Sequence, residues 1–340
     1  MALRFAVGIT LSFVVCEAMS WKPAYLTPIL TGVLLANLPG RPPFKAGLLV
    51  ILAMTVSAVF TWLLSTLLLE MPWVLFGAIS LCLFLMFLTM LTAGPAAAFP
   101  AMLMLLCLST IPIVAMAYPA QAAELPKALV RSIILAMITI WLVYAVWPRS
   151  APPKATVPPA PATAPVATAL LATAIVIPLM LGFLLLAPAD ALIVLVNTVL
   201  MVATFDLQLS RREALRRVAA NAVGGVLGLV AFWIFIIYPS LITLGLIMFI
   251  ISFLIGMRIA EGRQSTPPLV FGTNAMLAIF GSLVLSGTGN PGVWITRVTY
   301  IILAGAFAVG AMYLVWHRLE PIAERRAESR RSTSQTGDTR

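Results

Sequence analysis

Charged residues in this chain fall almost entirely in the gaps between long apolar runs, and that arrangement decides which folds are open to it. Runs of roughly bilayer-spanning length lie near 3–20, 24–38, 46–69, 73–92, 97–118 and 128–147. A second set lies near 167–187, 190–205, 215–237, 240–257, 268–287 and 294–316, with boundaries good to about four residues. Inside hydrocarbon no water is available to the backbone, so each run must satisfy its own N–H and C=O groups, which a helix does. Only 9% of the 340 residues are charged and 62% are hydrophobic. A soluble domain carries about 25% charged residues. The expected fold is therefore an all-α polytopic membrane protein of about 12 transmembrane helices.

The net charge of +10 raises nucleic acid as a partner, but the basic residues form no continuous face, and we exclude it. Their placement follows the positive-inside rule instead. With the N-terminus inside, one side receives Arg4, Arg41, Lys45, Arg149, Lys154, Arg211, Arg212, Arg216, Arg217, Arg258, Arg263 and the arginines from Arg318 onward. Only Lys22, Lys127, Arg131 and Arg297 remain for the other side or the span ends. Both termini are expected in the cytoplasm, and the chain is expected as a multi-pass protein of a bacterial inner membrane. Arg4 and the run behind it lead into Trp21, Lys22 and Pro23 without a small-residue cleavage site, so this run is read as a retained helix.

Between the two sets of runs lies a Pro/Ala/Thr-rich stretch that favours extended polyproline geometry and cannot bury a core. The expected division is a first six-helix repeat over 1–149, a linker over 150–166, a second six-helix repeat over 167–318 and a basic cytoplasmic tail over 319–340. The halves share features. Leu142-Val143-Tyr144-Ala145-Val146-Trp147-Pro148-Arg149 ends the first, and Met312-Tyr313-Leu314-Val315-Trp316-His317-Arg318 ends the second. Arg131 and Arg297 occupy matching places, and a basic loop precedes the third and ninth runs. Halves with an even number of spans lie parallel, related by an axis along the membrane normal.

Arg217-Val218-Ala219-Ala220-Asn221-Ala222-Val223-Gly224-Gly225-Val226-Leu227-Gly228 resembles the helix of a basic residue followed by small residues in the fusaric-acid-resistance-like (FUSC) family, which belongs with the aromatic acid exporters. Residues 3–64 are similar to the opening of the same module: an Arg-led helix, a Trp/Pro/Tyr break, a Thr/Pro-containing helix and a basic loop. Two features depart from the family. A short linker stands where many relatives carry a cytoplasmic domain, and Lys45-Ala46-Gly47 lacks the regular glycine spacing. The resemblance implies efflux of small aromatic, weak-acid or lipophilic toxic compounds, with a periplasmic membrane fusion (adaptor) protein as a possible partner. A homo-oligomer is a further possible assembly.

Several residues are candidates for a substrate path. Pro28, between Thr27 and Thr31, is expected to interrupt the second run, with Asn37 further along; Asn197 and Thr198 lie mid-run in the eighth, and Asn274 in the eleventh. Backbone freed by a buried proline must find partners in protein or a wet cavity. Arg131 and Arg297 either snorkel to headgroups or face the interior and help release an anion. Glu17 and Asp190 are the acids proposed for proton coupling, against the plainer reading that both sit at helix ends. Ala220, Gly224 and Gly228 share one helix face and fit close packing. Arg211, Arg212, Arg216 and Arg217 form a basic loop suited to lipid phosphate or to collecting anionic substrate.

Enzymatic readings find little here. His317 is the only histidine, which leaves no His-pair metal site and argues against a Ser–His hydrolase, and there is no phosphate-binding glycine loop. Neither a cofactor nor a metal is expected. Cys16, Cys82 and Cys107 sit within apolar runs, as small hydrophobes do. The alternative to an exporter is a non-transporting membrane scaffold for an adaptor or envelope-assembly partner.

Overall fold

The structure, a computed structural model, describes residues 1–38, 40–119, 122–148, 165–186, 211–261 and 266–286. Ten helices lie among them: α1 (Ala2–Ala18), α2 (Leu26–Asn37), α3 (Phe44–Leu67), α4 (Pro72–Thr92), α5 (Pro95–Ala117), α6 (Glu124–Val146), α7 (Pro165–Leu186), α8 (Arg211–Ile237), α9 (Leu241–Glu261) and α10 (Thr266–Ser286). Each expected run within the described residues is a helix; the runs near 190–205 and 294–316 lie outside them. Prolines mark the starts of α4, α5 and α7, where the missing N–H is one no helix bond needs. Pro165 and Val166 therefore belong to α7, and the linker is two residues shorter at that end than expected.

Seven of these helices are long and apolar enough to cross a bilayer. The outer surface matches. α3 exposes Leu48, Leu49, Leu52, Val56, Val59 and Leu63, and Trp73 at the start of α4 is 90% exposed. A lipid-facing surface accommodates these side chains at no cost, whereas a soluble monomer rarely shows so wide an apolar face. This is a multi-pass helical membrane protein.

α2 departs from expectation. Its twelve residues span about 18 Å, well short of a hydrocarbon core of about 30 Å. It is instead wrapped by protein, with α1, α6 and α10 packed around it, and Leu26 through Leu35 are all buried. Pro28 falls in its first turn, so it removes no helical hydrogen bond and does not interrupt the helix.

The first-part helices also reach into the second part. α1 packs along α9, α2 against α10, and α4 against α7. The closest crossing joins α8 to α10. A Cβ on Gly224 would collide with the backbone of Gly272, and one on Gly228 would come within 2.7 Å of the Met276 carbonyl oxygen. Where lipid supplies no hydrophobic drive between helices, this backbone approach gives dispersion contact that larger residues would prevent.

Candidate functional site

The order of contacts along α1, α2 and α6 defines two ends of the bundle. At one end the Tyr144 hydroxyl donates to the Leu38 carbonyl (3.4 Å) and Trp141 Nε1 donates to the Pro42 carbonyl (3.2 Å). Arg4 stacks over the Tyr144 ring, 5.0 Å from its centroid. Arg41 and Lys45 follow in the same loop and helix start, beside a cleft of about 410 Å³ that Trp141 and Phe44 help to line. At the opposite end Arg131 Nη2 donates to the Lys22 carbonyl (3.2 Å), and its guanidinium lies 4.6 Å from the Trp21 ring centroid. Each end thus has an arginine held on an aromatic face, worth about 0.5–2 kcal/mol depending on how dry the contact is.

Arg131 stands seven residues into α6, about 10 Å below its first turn. Beside it, α3 and α6 enclose an open groove of about 670 Å³. The two helices are pinched at Gly47, where a Cβ would collide with Trp141 and Met137. Toward the Arg131 end they leave room, lined by Trp21, Trp62, Lys127, Arg131, Val59 and Ile138 among others. Lys127 pairs with Glu124 at 3.0 Å in a well-exposed contact, which is worth little.

The interior of the bundle is polar in a restrained way. Thr31, Ser65, Thr110, Thr173 and Thr273 are buried, and each hydroxyl donates to the carbonyl four residues earlier in its own helix. Thr27 accepts from the Cys16 thiol across the α1–α2 pair, at 3.1 Å. Asn274 differs from all of these. It is 1% exposed, and among the described residues neither its amide nitrogen nor its oxygen has a hydrogen-bond partner. It lies seven residues before Gly281, so on the same face of α10, and Gly281 packs directly against Tyr25 at the start of α2. The unpartnered amide therefore sits on the side of α10 that faces α2.

The other sequence candidates divide as follows. Asn37 is exposed at the end of α2 and spends its amide on the Val33 carbonyl (2.8 Å). Glu17 is half-buried one residue from the end of α1, within electrostatic reach of Lys22 but not in an ion pair with it. Ala220, Gly224 and Gly228 line the α8–α10 crossing, where Gly272 in turn meets the Ala220 carbonyl. Arg216 is exposed on the first turns of α8; the side chains of Arg211, Arg212 and Arg217 lie outside the described residues, as do Asp190, Asn197, Thr198 and Arg297 altogether. Sequence reasoning missed Trp21 and Trp62 as partners of the groove. The Trp21-Lys22-Pro23 break was the available signal, since it sets an aromatic ring at a helix end opposite a cation.

A protein-family model described as "Protein of unknown function (DUF2955)" matches residues 1–143, the stretch from α1 into the last turns of α6. No curated protein and no solved structure matches the chain.

Proposed function

We propose that this chain is an inner-membrane efflux transporter subunit that exports small aromatic, weak-acid or lipophilic compounds, coupled to protons and built from two parallel six-helix repeats. The resemblance of residues 211–230 to the FUSC family supplies the activity class. The helix contacts support the duplication. A twofold that exchanges the halves carries the first run onto the seventh and the tenth onto the fourth. An α1–α9 contact then requires an α4–α7 contact, and both are present. The same operation relates the α3–α5 pair to the α8–α10 pair, again both present. The family match also ends at residue 143, close to the end of the first repeat.

The observation that carries the reading is Asn274. An amide buried without partners is costly in a membrane interior, and it lies at the α2–α10 seam, where the two repeats meet. In transporters built from repeats, substrate sites lie at such seams near the midplane. The amide would bond to substrate during alternating access. Deleting the gene should sensitise cells to aromatic acids or lipophilic toxins, and Asn274→Ala should fail to restore resistance although it reaches the membrane at wild-type level. Full restoration by Asn274→Ala would remove the observation on which the proposal stands.

One finding favours the scaffold reading. Many of the buried hydroxyls, Thr31, Ser65, Thr110, Thr173 and Thr273 among them, are satisfied within their own helices, which leaves less polar lining for a route. A scaffold would tolerate Asn274→Ala and Glu17→Gln together, and would lose function only with changes in the connections at the Lys22–Lys127 end.

A further inference from the structure

The groove between α3 and α6 combines three features that together select a ligand. It opens sideways onto the exposed apolar face formed by α3 and by Ile134 and Ile138 of α6, so acyl chains of the bilayer have direct access. Its walls are apolar along most of their length. At its end stands Arg131 and, one helical turn nearer the start of α6, Lys127, which also pairs with the exposed Glu124. Arg131 has no carboxylate within ion-pair distance among the described residues. The Lys22 carbonyl uses one of its N–H donors, and the guanidinium rests over the Trp21 ring. The remaining donors form a fork suited to phosphate.

We propose that this groove is a binding site for an anionic phospholipid, with the headgroup phosphate on Arg131 and Lys127 and one acyl chain laid along Val59, Ile134 and Ile138. With no carboxylate beside Arg131 among the described residues, a phosphodiester supplies a counter-charge without removing the side chain from Trp21. The chain stays within its own solvent, so the groove needs no rearrangement to fill. This proposal is independent of export: a lipid site of this kind can serve an exporter or a scaffold.

The test uses the full chain in mild detergent, offered equal amounts of phosphatidylglycerol and phosphatidylcholine and examined by native mass spectrometry. The wild type should retain phosphatidylglycerol in about tenfold preference, the scale of one charge-assisted hydrogen-bonded contact. Arg131→Gln should abolish that preference, and Arg131→Lys should restore part of it. Val59→Trp, which fills the groove and leaves both cations in place, should lower retention of phosphatidylglycerol; it serves as the decisive variant if Arg131→Gln does not fold. Millimolar inorganic phosphate or benzoate should fail to displace the lipid. Equal retention of the two lipids by the wild type, unchanged preference in Arg131→Gln or Val59→Trp, or displacement by either small anion would overturn the proposal.

Discussion

Replacing Asn274 by leucine removes two amide atoms that have no partner among the described residues and keeps a side chain of similar size in their place. The variant should therefore be more stable in detergent by about 1 kcal/mol, read as a higher melting temperature, while losing any export activity. Gain of stability with loss of function is the mark of a residue kept for work rather than for packing. Gly224 gives the opposite case. Any Cβ there meets the Gly272 backbone, which cannot rotate aside as a side chain would. Gly224→Ala should cost about 1–3 kcal/mol and lower the melting temperature; an unchanged value would mean that α8 and α10 do not cross there. Both residues stood out in the sequence, but for different reasons. The small-residue spacing at Ala220, Gly224 and Gly228 points to close approach whatever the partner. An asparagine in an apolar run shows that something polar is buried, without showing whether a neighbour satisfies it.

The ten described helices were legible to within about four residues, because apolar runs and the prolines that open them report directly on where a chain enters lipid. Their pairing was not. α3, α4 and α7 are apolar on all sides, so periodicity does not say which face meets protein and which meets lipid. α2 was misjudged in length for a related reason. Apolar residues continue from Ala24 to Leu38, and only burial by α1, α6 and α10 explains why so short a helix is stable there. The α1–α9 pair offers a direct check. A Cβ at Gly245 would lie 3.6 Å from the Val14 Cγ2, an ordinary contact. In an otherwise cysteine-free variant with a protease site in the linker, cysteines at Val14 and Gly245 should cross-link on oxidation and hold the two cleavage products together on a gel. Separation of the products after complete oxidation would contradict the packing of α1 on α9.

For the molecule as a whole, the two ends differ in chemistry. One carries Arg4, Arg41 and Lys45 around Tyr144 and Trp141; the other carries Lys22, Lys127 and Arg131 around Trp21. Counted with Arg149 and Lys154 of the sequence, the Arg41–Lys45 end has the larger basic share, and the positive-inside rule leads us to propose that it faces the cytoplasm. In a cysteine-free background, Lys127→Cys should react with a membrane-impermeant maleimide in intact cells freed of their outer barrier, and Lys45→Cys only after lysis. Both positions are exposed, so equal labelling would reverse or abolish the assigned orientation. The charge bias was readable along the chain. The interlocking of its parts, with α1, α2 and α4 each gripping a helix from beyond the linker, was not, since nothing local encodes a partner so distant in sequence.

The brevity of α2 bears on how the protein is made. A segment of about 18 Å cannot be released into the bilayer as a stable crossing, and its walls are supplied by α6 and α10, the latter synthesised more than two hundred residues afterwards. The α1–α2 hairpin must therefore be sheltered by the insertion machinery, or linger at the membrane surface, until the late helices arrive. Ribosomes halted before α10 would leave an unfinished product whose second helix has nowhere to reside, and membrane proteases would be the first to encounter it.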